Sequence, residues 1–208
     1  MALSTAGRSA IVLADGREER LIPKRFSSEA GESSLLEYVL DSVWTVADEL
    51  LIVFRQEPTL ELVESIAPFG VKILIQDGTL VSRVESGFMA SRSEHCLVVE
   101  ENRPFVKPNV VFALFDAARG SDAAVPRWAN GTIEPMLSVY RRQSALKVAS
   151  QVTKSDTPLT FVDHLYVVRF VQVEGELGPL DPELNSFFKV NDTNDLKKAI
   201  SLATVGKI

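Results

Sequence analysis

Hydrophobic residues in this chain gather into short continuous runs, and each run ends in polar or charged positions. Ser9 to Ala14 (SAIVLA) closes on Asp15 and Gly16, and Leu50 to Phe54, Val71 to Ile75 and Cys96 to Val99 repeat the pattern. Such a run fits a strand buried on both faces that delivers its C-terminal end to a loop. Between the runs the spacing becomes helical. Ser34 to Val46 carries Leu35, Leu36, Val39, Leu40 and Val43 on one stripe, and Thr59 to Ala67 carries Leu60, Leu62, Val63 and Ile66. This alternation predicts βαβ units with right-handed crossovers, hence an α/β fold built on an open, mostly parallel Rossmann-like sheet covered on both faces.

The later chain is less regular. Ala123 to Pro126, Pro135 to Tyr140 and Tyr166 to Val173 read as strands and Arg141 to Gln151 as a helix, an order that predicts a small antiparallel C-terminal extension. A final helix is expected from Asp192 or Thr193, whose side chains can cap free backbone N–H groups, through Leu196, Ala199, Ile200 and Ala203. There is no internal repeat or low-complexity tract, and 208 residues suffice for one sizeable core, so residues 1–208 are expected to form a single domain.

Charge and cysteine content narrow the function classes. Twenty-eight acidic against 22 basic residues leave a net charge of −6, which opposes nonspecific attraction to nucleic acid or to an anionic membrane surface. Neither partner is expected. Cys96 is the only cysteine, so neither an internal disulfide nor a cysteine-based zinc cluster can form within the chain. The residues up to Arg8 lack the charged-then-apolar order of a secretory leader, and no apolar run approaches the roughly 20 residues of a membrane span. A soluble protein of the reducing cytoplasm is expected.

In an open parallel sheet, ligands bind beyond the carboxyl ends of the strands. Four segments therefore hold the candidate chemistry: Asp15 to Arg25, Arg55 with Gln56, Asp77 to Arg83, and Glu100 to Phe105. The first combines a glycine with Arg17, Arg20, Lys24 and Arg25, so backbone N–H groups and cations together fit a polyphosphate; a solvated charged loop fits the same residues. The fourth places Glu100, Glu101 and Asn102 after an apolar strand, where oxygen ligands suit magnesium; an ordinary polar strand end is the alternative. His95 and His164 have no nucleophile placed beside them, which leaves a histidine-based hydrolase weakly supported. Cys96 opens an apolar strand and reads as a small buried hydrophobe. Trp44 and Trp128 read as packing residues, with a pocket wall the other role open to Trp128.

Several of these segments, in order, resemble the molybdenum cofactor guanylyltransferases. IVLADG with Arg17, Arg20 and Lys24 resembles that family's nucleotide loop, which reads leucine, alanine, two glycines, an arginine and a late lysine. LLEYVL is similar to the helix that follows, and Asp77-Gly78-Thr79-Leu80-Val81-Ser82 to a family turn. In VVEENRPFVKP, Pro104 and Phe105 match the segment after the fourth strand. Val125-Pro126-Arg127 followed by EPMLSVYR resembles the substrate-side strand, and FFKVNDTNDL the closing motif, with Asn191 as its second asparagine. The resemblance covers most of the chain.

It implies a three-layer nucleotidyltransferase fold of the GT-A-like type and an enzyme that transfers GMP from GTP to molybdopterin, releasing pyrophosphate, with Mg²⁺ as cofactor. By position it assigns Leu13, Ala14, Asp15, Gly16, Arg17, Lys24, Arg55 and Asp77 to the nucleotide, with Arg17 and Lys24 as the catalytic cations. Asn102 and Glu101 would hold the metal, and Arg127, Glu134 and Asn191 would face the acceptor. Asp15 stands at a glycine position of the family, Asn102 at its metal-binding aspartate, Glu134 at a glutamine and Lys189 at the first closing asparagine. These departures define a second reading, a non-catalytic relative that binds nucleotide or pterin or serves as partner of a cofactor-biosynthesis protein. A nucleotidyltransferase for another acceptor is the third.

Overall fold

The structure is a computed structural model that describes residues 7–16, 21–23, 32–152 and 157–205. Its first strand, β1 (Arg8–Ala14), buries every side chain from Ser9 to Ala14 and sends them alternately to two cores. Ala10, Val12 and Ala14 enter one core, Ile11 and Leu13 the other. A strand buried on both faces needs no polar alternation, which explains the continuous apolar run.

A short antiparallel pair, β2 (Leu21–Pro23) and β3 (Glu32–Ser34), leads into helix α1 (Leu35–Val43). Ser34 and Glu37 start that helix with a reciprocal capping box, and its apolar stripe turns inward. The chain continues through β4 (Glu49–Phe54), α2 (Leu60–Ile66), β5 (Lys72–Ile75), α3 (Leu80–Ala90), β6 (His95–Glu100) and α4 (Pro108–Ala117). It then forms β7 (Ala123–Arg127), β8 (Leu137–Arg141), α5 (Arg142–Ala149), α6 (Pro158–Asp163), β9 (Val168–Gln172) and α7 (Thr193–Val205).

Among the described residues the main sheet has seven strands in the order β5-β4-β1-β6-β8-β7-β9. Pairings from β5 through β6 and between β7 and β9 are parallel, whereas β8 runs antiparallel to both neighbours. The sheet is mostly parallel, as expected. The antiparallel strand lies inside it, between β6 and β7. β8 pairs with β7 only at Ala123 and Ala124, so Pro126, which has no N–H to donate, lies beyond that ladder.

Helices α1, α2 and α4 supply residues to the core on one face, and α3, α5 and α6 to the other, giving three layers. Close contact of α3 with the sheet depends on Gly87, where a Cβ would stand 2.5 Å from the Ile11 Cγ2. Helix α7 packs Ala199 and Ala203 with Leu35, Tyr38, Phe105 and Val190 in a third cluster. Its start is as expected, since Asp192 accepts the Asn194 and Asp195 N–H groups at 2.7 and 2.9 Å. No described helix is long and apolar enough to cross a membrane.

Candidate active site at the strand ends

Beyond the C-terminal ends of β1 and β6 opens a cavity of about 460 Å³. Leu13 lines it from β1 with Asp15 and Gly16 just beyond, Glu100 from β6 with Glu101 and Asn102 just beyond, and Arg83 from α3. Val190 and Asn191 close it from the segment before α7. Gly16 turns there with φ of +71°, and a Cβ would approach the Gln56 carbonyl to 2.8 Å. A side chain is excluded on both grounds.

The end of β1 is tied down by charge. Arg83 is buried, and its Nη2 donates to the carbonyls of Ala14 and Val53 at 2.5 and 3.0 Å, clamping the C-terminal ends of β1 and β4. Its Nη1 faces the Asp15 carboxylate at 3.6 Å. Burial pulls the Arg83 guanidinium below its ordinary pKa, opposed by the nearby carboxylates of Asp15, Glu101 and Glu100. The Asp15 N–H donates to Glu101 Oε1 at 2.9 Å. Thus the backbone amide at the start of the loop already holds a carboxylate.

The opposite rim forms where the segment before α7 docks on the loop after β6. Val190 N–H donates to the Asn102 carbonyl at 2.8 Å, and Asn102 Nδ2 donates to Asn191 Oδ1 at 3.1 Å. Arg103 is fully buried, paired with Glu134 and donating to the Phe187 carbonyl. Glu134 also accepts from Trp128 Nε1 at 3.1 Å, and the Trp128 ring meets Phe187 edge-on. Lys189 Nζ lies 3.6 Å from Glu100 and 3.8 Å from Glu134, joining the β6 end to this network.

Of the expected site residues, Leu13, Asp15, Gly16, Glu101, Asn102 and Asn191 come together around the cavity. Ala14 contributes its carbonyl to Arg83 and Arg55 N–H. Arg55 and Asp77 pair loosely at 3.9 Å on the outer side of the strand ends, both largely exposed. Arg127 packs its guanidinium over the Phe170 ring, 4.9 Å from the centroid, while Glu134 belongs to the Arg103 network. Arg17, Arg20, Lys24 and Arg25 lie outside the described residues. Cys96 is fully buried, and burial raises its thiol pKa to about 11, as fits a packing residue.

Two central residues carried no role in the sequence reading. Arg83 falls in the segment read as a loop, but Thr79 caps a helix that starts at Leu80, so Arg83 is helical. The available signal was a charge on the stripe of Leu80, Val84 and Gly87, which faces the sheet. Arg103 had no comparable signal, because its partner Glu134 is 31 positions away.

Residues 10–164 match the model of the MobA-like NTP transferase domain. The chain belongs to that family. A curated relative from Methanosarcina acetivorans, named "Probable molybdenum cofactor guanylyltransferase", is 32% identical over 98% of this chain and 94% of its own. Two solved structures share the MobA-like fold. Molybdopterin-guanine dinucleotide biosynthesis protein A from Archaeoglobus fulgidus has a TM-score of 0.69 at 22% identity, covering 94% of this chain and 99% of that one. Rv0371C from Mycobacterium tuberculosis, solved in complex with manganese, has a TM-score of 0.69 at 15% identity, with 95% and 99% covered.

The donor set suits a hard divalent cation. Asn102 Oδ1 is buried and accepts no hydrogen bond, and carboxylates of Glu100 and Glu101 line the same cavity. Among the described residues no group of three or more His, Cys, Asp or Glu side chains converges on one point. Such a site would draw its remaining ligands from a bound phosphate and water, as is usual for magnesium.

Proposed function

We propose that this protein is a nucleotidyltransferase of molybdenum cofactor biosynthesis, transferring GMP from GTP to molybdopterin with release of pyrophosphate. The observation that carries the reading is the cavity at the ends of β1 and β6, in a chain 32% identical along its length to a relative named for that activity. A terminal phosphate oxygen of the acceptor attacks the α-phosphorus of GTP, the bond to the β-phosphate oxygen breaks, and pyrophosphate leaves with that electron pair. Positioning and charge neutralisation would dominate the catalysis.

In this reading the loop from Leu13 through Gly16, with Arg17 and Lys24, takes the triphosphate, and Arg55 with Asp77 takes the nucleoside. Asn102 and Glu101 would hold Mg²⁺, which neutralises phosphate charge when bound. Arg127, Glu134 and Asn191 would serve the acceptor. Residues 1–208 would act as one catalytic domain in the cytoplasm.

Incubation with α-labelled GTP, Mg²⁺ and molybdopterin tests this. Labelled dinucleotide and equimolar pyrophosphate support the assignment. A second reading, binding without turnover, is favoured by the Glu101 carboxylate on the Asp15 amide. Magnesium-independent nucleotide binding with no pyrophosphate released would select it.

A further inference from the structure

We propose that Arg83 is a phosphate-binding residue of the nucleotide site and that Asp15 is its internal, displaceable counterion. This rests on the nucleotide reading above and deepens it. Arg83 lines the cavity with its side chain only 8% exposed, and two hydrogen bonds to strand-end carbonyls fix one end of the guanidinium. Its Nε, also buried, has no hydrogen-bond partner. A fixed planar cation that lines the cavity and whose Nη1 has only a carboxylate 3.6 Å away suits an oxyanion, since guanidinium matches phosphate oxygens in charge and geometry.

The counterion now beside it is held far less firmly. Asp15 stands 3.6 Å from Nη1, beyond a direct hydrogen bond, and its side chain is 59% exposed. Half-exposed pairs of this kind contribute little. The cation is therefore built in and the anion is loose, so a more highly charged phosphate can replace the carboxylate by turning the Asp15 side chain toward solvent. At the amide of the same residue a carboxylate is also seated, since the Asp15 N–H donates to Glu101 Oε1 at 2.9 Å. The pair also makes sense of an acidic residue in a phosphate loop: Arg83 offsets the charge that Asp15 brings.

The test is titration calorimetry of the full chain with GTP and with inorganic pyrophosphate at low ionic strength. Asp15→Asn removes the competing charge at an exposed position, and Glu57→Gln, on the loop after β4, controls for the loss of one negative charge. Asp15→Asn is expected to bind both probes about fivefold to tenfold tighter than the parent, and tighter than Glu57→Gln. That gain is expected to vanish when Arg83→Gln is added. Equal gains in Asp15→Asn and Glu57→Gln, with GTP still bound by the parent, would overturn the counterion role and leave the nucleotide reading standing. Failure of every protein to bind GTP would overturn both.

Discussion

Removal of the Glu134 carboxylate would leave Arg103 as an unpaired charge in the interior. Arg103 is fully buried, and Glu134 is its one acidic partner among the described residues. It also donates to the Phe187 carbonyl, and its Nε already has no hydrogen-bond partner. Lys189 offers no relief, because it is a second cation. Breaking a buried pair from one side costs about 3–5 kcal/mol. At about 2–4 °C per kcal/mol for a chain of this size, Glu134→Ala should lower Tm by roughly 6–20 °C. Arg103→Met should cost less, since Glu134 keeps Trp128 and Lys189 and is 15% exposed. Arg103→Met with Glu134→Ala should lose less stability than the two single changes added together. Thermal and urea unfolding of the four proteins measures the cycle. A Tm loss below about 3 °C in Glu134→Ala, or strict additivity, would refute a buried pair that matters to folding.

Three further outcomes follow from the geometry. Gly87→Ala forces a methyl within 2.5 Å of Ile11 Cγ2, so overpacking should cost about 1–3 kcal/mol in urea unfolding, whereas an unchanged midpoint would deny the tight contact of α3 with β1. Burial alone would raise the Asp181 pKa, but hydrogen bonds from Lys107 and Ser186 hold it below its ordinary value. Its depressed folded-state pKa means that its stabilisation is present above about pH 4 and is lost as pH falls through the folded value. Asp181→Asn should therefore flatten part of the stability loss between pH 5 and strong acid, and an unchanged profile would contradict this. Cys96, with its thiol raised to about 11, should resist iodoacetamide at pH 8 until the chain unfolds; rapid alkylation of the native protein would contradict its burial.

The parallel half of the fold was legible from its apolar runs: β1, β4 and β6 are buried on both faces, whereas β5 keeps the run as an edge strand with Lys72 and Ile75 exposed. Ser9 to Ala14, Leu50 to Phe54, Val71 to Ile75 and Cys96 to Val99 lie within a residue or so of β1, β4, β5 and β6. The placement of β8 between β6 and β7 could not be read, because strand order depends on long-range pairing and not on local pattern. Helix α4 escaped for a related reason: VVFALF is apolar on most sides, and such a run does not distinguish a buried helix from a strand. The candidate site divides similarly. Asp15, Gly16, Glu101 and Asn102 follow strands directly, so the rule of carboxyl ends finds them. Arg83 and Arg103 act through partners far along the chain, from Ala14 to Glu134, and no spacing rule connects them.

Nucleotide binding at the strand-end cavity decides the assignment, and titration calorimetry with GTP, ATP and CTP, each with and without Mg²⁺, measures it most directly. Magnesium-dependent binding that prefers GTP and weakens in the Glu101→Ala, Asn102→Ala double variant is the predicted result. Absence of binding by all three nucleotides, with or without the metal, would contradict it.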